Sequence, residues 1–169
     1  RRDHLGGMTN VAKDDNDNLV AVIAGSTKKA KGQVIYVRTS TDEGLTWSAP
    51  LRVSPVRNGD RRVIASFPTI AGTGNGDFRL WWQDNYQAIN GWNTWYMEST
   101  DNGATWSPKA RISDAINGAF YKSRKGYLAD YGDYGGIDVM SDGRTIATWG
   151  EGESYWGAGG TWINRQLSR

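Results

Sequence analysis

Aromatic and charged side chains able to grip a ligand gather in three stretches of this 169-residue chain. Asp84-Asn85-Tyr86 with Trp92 forms one, and Glu151, Glu153, Tyr155 and Trp156 form another. The longest, Asp114–Gly136, carries Tyr121, Arg124, Lys125, Tyr127, Asp130, Tyr131, Asp133 and Tyr134. Flat rings beside carboxylates and guanidinium groups suit carbohydrate: sugar C–H faces stack on rings, and hydroxyls pair with Asp, Glu and Arg. Arg also holds the carboxylate of an acidic sugar through two parallel hydrogen bonds. Tyr86, Trp92, Tyr121, Arg124, Tyr127, Asp133, Tyr134, Glu151, Tyr155 and Trp156 are therefore the candidate ligand contacts. The competing reading gives the same rings a packing role, within loops or against another chain. A connection as long as Asp114–Gly136 is uncommon in a compact fold unless it binds something or is disordered, and its tyrosines argue against disorder. Spacing alone assigns no catalytic residue.

Other chemistry is narrower. Asp14-Asp15-Asn16-Asp17-Asn18 has the oxygen density of a calcium loop, so calcium is the one metal it could take. It lacks the glycine and distal glutamate of an EF-hand loop, which favours a polar turn and no cofactor. The chain has no cysteine, which excludes disulfides and thiolate metal sites. A net charge of +2 is too small to draw nucleic acid or a membrane surface. Lys28, Lys29 and Lys31 cluster without interleaved aromatics, as a solvated loop does. No apolar run reaches the length of a membrane span. The first residue is Arg1 rather than Met, which fits a processed or excerpted chain.

The elements that must position these residues are set by a repeat. Ser-x-Asp-x-Gly-x-Thr-Trp occurs at Ser40, Asp42, Gly44, Thr46 and Trp47, and again 59 residues on at Ser99, Asp101, Gly103, Thr105 and Trp106. The copies align without a gap from Met8–Ser54 to Phe67–Ser113. A third copy follows at an offset of 67, in which Trp149 answers Trp82 and Thr161-Trp162 answers Thr94-Trp95. Gln166 and Ser168 stand where the motif's Ser and Asp would be, so the third copy is incomplete. Each copy holds short runs of β-branched and aromatic residues separated by Gly, Asn and Asp, which predicts strands joined by turns. Four antiparallel strands per unit at this period describe a blade of a β-propeller. The chain is expected to be all-β, one propeller segment over 1–169, with blade-like repeats at about 8–54, 67–113 and 137–169.

The doubled motif resembles the Asp box, or bacterial neuraminidase repeat, of sialidase-type β-propellers. In the motif, Asp is expected to accept backbone N–H bonds and Gly to take a left-handed angle. Thr should enter the outgoing strand, and Trp should bury its ring between sheets. Asp42 and Asp101 are thus read as turn holders, not catalysts. Strand order puts the boxes and the one–two turns on one face. The two–three loops and blade links, which carry the candidate contacts, lie on the other. Trp47, Trp82, Trp95, Trp106, Trp149 and Trp162 fall at repeated positions and are expected in the blade core.

The resemblance implies an extracellular, secreted protein whose partner is carbohydrate. The first reading is a glycan-recognising module. The second is a sialidase-like glycoside hydrolase, exo-acting on acidic sugars, with Arg, Tyr, Glu and Asp as its working groups; none maps onto a catalytic motif here. The third is an assembly module that closes a ring or polymerises through open blade edges. Three copies are fewer than a closed ring needs, so further blades from the same parent chain or a second chain are the expected partners.

Overall fold

A computed structural model of the chain describes residues 8–26, 33–59, 61–88, 91–114, 135–152 and 159–165. All the elements found there are strands. The first sheet contains β1 (Met8–Lys13), β2 (Leu19–Gly25), β3 (Val34–Ser40) and β4 (Leu51–Arg52), in that spatial order. A short ladder of β5 (Arg57–Asn58) and β6 (Arg61–Arg62) lies in the link that follows. The second sheet contains β7 (Ala65–Thr73), β8 (Asp77–Asp84), β9 (Asn93–Ser99) and β10 (Ala110–Arg111). The third is three-stranded, with β11 (Gly136–Val139), β12 (Thr145–Gly152) and β13 (Gly159–Arg165). All neighbouring pairs are antiparallel. The result is two blades and most of a third, as the repeat predicts. Residues 166–169, where the third copy departs from the pattern, lie outside the described residues, as does the lysine cluster at 28–31.

The register repeats with the sequence. Ile23 pairs with Tyr36, Trp82 with Trp95, and Trp149 with Trp162. The middle blade is covered on both faces, and its β8 is buried throughout from Phe78 to Asp84. Phe78, Leu80 and Trp82 point toward blade 1 and join Val20, Val22, Ala24, Ile35 and Val37 in one core. Trp81 points the other way and joins Ala147 and Trp149 of blade 3 in a second core. Burying a large apolar side chain contributes about 1.5–3 kcal/mol, so these two seams hold the blades together. By contrast, β2 of blade 1 alternates buried with half-buried residues, because its second face meets no blade among the described residues.

Both boxes turn the chain in one way. Asp42 Oδ1 accepts from Thr46 N at 2.9 Å and Asp101 Oδ1 from Thr105 N at 2.9 Å. Ser40 Oγ accepts from Gly44 N at 2.9 Å and donates to Asp42 at 2.7 Å, and Ser99 repeats this with Gly103 and Asp101. Gly44 and Gly103 have φ of 87° and 76°, angles that suit glycine. A Cβ on Gly103 would lie 2.9 Å from the Thr39 side chain and 3.1 Å from that of Val20, so the second box is pressed against blade 1. Two expectations are corrected. Thr46 and Thr105 do not enter the outgoing strand; their hydroxyls donate back to Asp42 at 2.5 Å and Asp101 at 2.6 Å and lengthen the turn. Trp47 and Trp106 are half-buried, and their indoles donate to Gly44 O at 3.0 Å and Gly103 O at 3.1 Å, so each caps its own turn; Trp106 also packs against the blade 1–2 core as expected, and Trp47 does not. The side chain of Trp162 lies outside the described residues.

Serines finish blades 1 and 2. Ser48 Oγ and Ser107 Oγ accept from Thr39 N at 2.9 Å and Glu98 N at 3.0 Å. Ser54 Oγ and Ser113 Oγ accept from Ile35 N at 2.8 Å and Thr94 N at 3.0 Å. Side chains therefore extend the ladder beyond the two-residue outer strands β4 and β10.

Asp14 locks blade 1 to blade 2. It is 1% exposed. Its Oδ1 accepts from Asn16 N and Asn18 N, both at 2.9 Å. Its Oδ2 accepts from Asn18 Nδ2 at 2.8 Å and from Gly76 N of blade 2 at 2.7 Å. Asp15 adds a bond from Gly74 N at 2.8 Å. The acidic run is thus a turn whose carboxylates are engaged by N–H donors. Among the described residues no group of three or more His, Cys, Asp or Glu gathers around a metal-sized space. Burial opposes ionisation of Asp14, but the bonds from Asn18, Gly76 and Asn16 outweigh it and hold the carboxyl below its usual 3.8. Its contribution to stability is therefore full above pH 3.8 and is lost as pH falls through the depressed value. Asp14→Ala should lose about 2 kcal/mol at neutral pH, read as a lower urea midpoint, and the deficit should shrink in acid. A variant as stable as the parent at pH 7 would show that the lock carries no load.

Candidate functional site

Hydrogen bonds sort the two faces. Ile64 N, in the blade link, donates to Asn85 Oδ1 at 2.8 Å in the two–three loop, and Ala65 N donates to Gln33 O at 2.8 Å. Links and two–three loops therefore share a face. On the other face, Asn102 N of the second box donates to Gly76 O of the one–two turn at 3.1 Å.

On the linking face, the end of β8 buries a carboxylate. Asp84 is 0% exposed. It accepts from Trp82 Nε1 at 2.8 Å, Trp95 Nε1 at 2.7 Å and Tyr86 N at 2.8 Å. Burial pushes its carboxyl up to about 6, while the three donors and Lys109 pull it down. The Tyr86 ring meets Trp95 edge-on, with centroids 5.9 Å apart. Lys109 Nζ lies 3.6 Å from the Tyr86 ring centre and 3.9 Å from that of Trp95. Burial lowers the Lys109 pKa, and Asp84 partly offsets it. An ammonium over two rings gains about 0.5–2 kcal/mol. Asp84 reaches no solute itself; it fixes the loop that presents Tyr86. Asn93 Nδ2 secures the same loop by donating to Tyr86 O at 2.9 Å.

Blade 3 repeats the device. Trp149 Nε1 donates to Glu151 Oε1 at 2.5 Å, and Glu151 is 5% exposed. Burial raises its carboxyl, the Trp149 indole lowers it, Asp114 raises it further and Arg111 lowers it. Under the repeat, Trp82 and Asp84 answer Trp149 and Glu151, a Trp-x-acid pair visible in the sequence but not singled out there.

Phe67 sits where β7 bulges, between Ser66 and Thr69, with φ of 56°. A bulky residue at positive φ is strained, and such positions cluster at functional sites. Its ring tilts against Trp92, with centroids 6.4 Å apart, and its N–H approaches Met8 Sδ at 3.3 Å.

Of the candidate contacts, Tyr86, Trp92 and Glu151 fall within the described residues. Tyr86 and Trp92 are half-buried on this face, Tyr86 against the blade 1–2 core and Trp92 against the blade 2–3 core. Glu151 is buried, 5% exposed, and bonded to Trp149. Tyr121, Arg124, Tyr127, Asp133, Tyr134, Tyr155 and Trp156 lie outside the described residues. Lys109 was not anticipated: it falls between the box and the outer strand, in a run that reads as a connector.

The chain matches solved propeller structures. A Hadza microbial sialidase matches over 94% of this chain and 34% of its own, at 12% identity and a TM-score of 0.62. The Penicillium chrysogenum α-L-arabinanase complexed with arabinobiose matches over 88% of this chain and 41% of its own, at 13% identity and a TM-score of 0.52. An E242A mutant of the Fusarium graminearum α-L-arabinofuranosidase with an iminosugar inhibitor matches over 88% and 40%, at 14% identity and a TM-score of 0.50. The chain thus has a sialidase-like propeller fold and spans about a third to two fifths of those proteins' length. No family profile matches it, and no curated protein does.

The Asp84 carboxyl has a folded value near 6, above its ordinary 3.8. Between those values the folded state holds more protons than the unfolded one, so stability from this group falls as pH rises through about 6. Tryptophan fluorescence should titrate near pH 6 through the two indoles bonded to Asp84, and Asp84→Asn should abolish that step. A step that persists in the variant would assign it elsewhere.

Proposed function

We propose that this chain is a glycan-recognising module of a secreted propeller. Its binding face is the one carrying the two–three loops and blade links. The observation that carries the reading is the pair of half-buried rings, Tyr86 and Trp92, held on that face by Asp84 and by the Phe67 bulge. The fold likeness supports it, since the matched structures are named as a sialidase, an arabinanase with arabinobiose and an arabinofuranosidase with an iminosugar. Arg124 and the aromatic residues of Asp114–Gly136 complete the contact set and give it a preference for acidic sugars. Further blades, from the parent chain or a second chain, close the ring. Blade 1 leaves Leu45 86% and Leu51 42% exposed, which is consistent with a neighbour there.

A second reading rests on Glu151. A carboxyl raised by burial, with Asp114 and Arg111 as charged neighbours, is the kind of group that serves as a general acid. On this reading the complete protein is a sialidase-like hydrolase, exo-acting on acidic sugars.

Calorimetric titration with sialyllactose and with arabinobiose separates the readings when paired with a fluorogenic sialoside assay. Recognition predicts binding that weakens about tenfold or more (~1.4 kcal/mol) in Tyr86→Ala and in Trp92→Ala, with no turnover. Hydrolysis predicts turnover that Arg124→Ala and Glu151→Ala abolish. Binding equal to the parent in both ring variants, without turnover, would discard this face as the site.

A further inference from the structure

Asparagine followed by glycine carries a reaction of its own. The backbone nitrogen of the glycine can attack the asparagine Cγ, since glycine has no Cβ to hinder the approach. The one–two turn of blade 2 contains such a pair, Asn75-Gly76, and the second box contains another, Asn102-Gly103. Asn58, Asn90 and Asn117 also precede glycine, but their side chains lie outside the described residues. Asn102 is half-buried, and its Oδ1 is buried against Gly76, 2.7 Å from where a Cβ on that glycine would stand. Its carboxamide is therefore packed in place. Asn75 is exposed, between Gly74 and Gly76 in the turn that joins Thr73 to its partner Asp77.

What restrains the reaction at Asn75 is the nucleophile. Gly76 is buried, and its N–H is donated to Asp14 Oδ2 at 2.7 Å. Bonds from Asn16 N, Asn18 N and Asn18 Nδ2 hold the same carboxylate in position. An amide nitrogen attacks only after it gives up its proton. Here that proton is occupied, and an amide anion would face a carboxylate at short range, like charge against like charge. The reaction must wait for the seam to open locally.

We infer that Asn75-Gly76 is a site of spontaneous deamidation gated by Asp14, and that its conversion unlocks blade 1 from blade 2. When the Gly76 amide leaves Asp14, hydroxide takes its proton and the nitrogen bonds to Asn75 Cγ. The Cγ–Nδ2 bond breaks, and the amide nitrogen takes a proton from water and departs as ammonia. Water then opens the cyclic imide at either carbonyl, leaving aspartate or isoaspartate at position 75. Isoaspartate puts an extra carbon into the backbone between Gly74 and Gly76. The amides of those two glycines then no longer match Asp15 and Asp14, which they meet at 2.8 Å and 2.7 Å. The lock ages by its own chemistry, whether or not the opposite face binds glycan.

The test incubates the whole chain at mildly alkaline pH, folded and in urea, and follows Asn75 by peptide mass spectrometry with isoaspartate resolved. The folded parent should convert far more slowly than the parent in urea. Folded Asp14→Ala should convert about tenfold or more faster than the folded parent. Asp15→Ala, which removes the neighbouring bond to Gly74 but not the bond to Gly76, should keep the parent's rate. The isoaspartate fraction should unfold at a lower urea midpoint than the parent. If Asp14→Ala does not fold, hydrogen exchange at Gly76 N in the parent decides, and protection there is the expected result. A Gly76 amide that exchanges as a free one would overturn the inference, as would equal Asn75 rates in the folded parent and Asp14→Ala. An Asp15→Ala rate raised as far as that of Asp14→Ala, or an isoaspartate fraction with the parent's midpoint, would overturn it as well.

Discussion

A sheet has two faces, and each apolar face needs cover. That constraint organises the molecule. The middle blade meets it on both sides, with Trp82 and Leu80 against blade 1 and Trp81 against blade 3. Its central strand can therefore be buried along nearly its whole length. Everything else serves the alignment of those two seams. Asp14 and Asp15 pin the first seam at one end, and the second box is wedged against it through Gly103. Gln83 ties the second seam by donating to Gly150 O at 3.0 Å.

Carboxylates do the pinning at both ends of the blades, in two electrostatic settings. The box acids lie in hydrogen-bonded, solvated turns. The bonds from Thr46 and Ser40 hold Asp42 down near 2, and those from Thr105 and Ser99 hold Asp101 low. Asp84 and Glu151 are buried acceptors of tryptophan indole N–H groups, and burial pushes them upward. The box acids are therefore held in their charged form, whereas burial on the other face favours the protonated form and brings Asp84 to about 6. A face of the second kind is suited to chemistry or to pH-dependent recognition; a face of the first kind is suited to rigidity.

The architecture was legible in the sequence because the repeat is a statement about register. If Trp82 answers Trp149 and Trp95 answers Trp162, each blade must pair the same positions, and it does. The box turn was legible because Asp and Gly have few alternatives at such spacing. The roles of Thr46 and Trp47 were misread, because strand propensity and ring size were given more weight than local hydrogen bonding. The candidate face was legible as a face, since alternating turns fix sides. Its inner workings were not. Lys109 reaches Tyr86 and Trp95 only through the fold, and the Phe67 bulge is a backbone event that residue type does not announce.

The serines that complete blades 1 and 2 have a consequence for how the protein behaves in company. A sheet's outer rim normally offers a row of unsatisfied amides to any extended chain that drifts past. Here the hydroxyls of Ser48 and Ser54 occupy the rim amides of β3, and those of Ser107 and Ser113 occupy the rim amides of β9. At the perimeters of blades 1 and 2 a stray strand finds only two residues of ladder. The circumference of those two blades therefore gives passing chains of its own kind little to template on, while β13 of blade 3 has no fourth strand beyond it among the described residues.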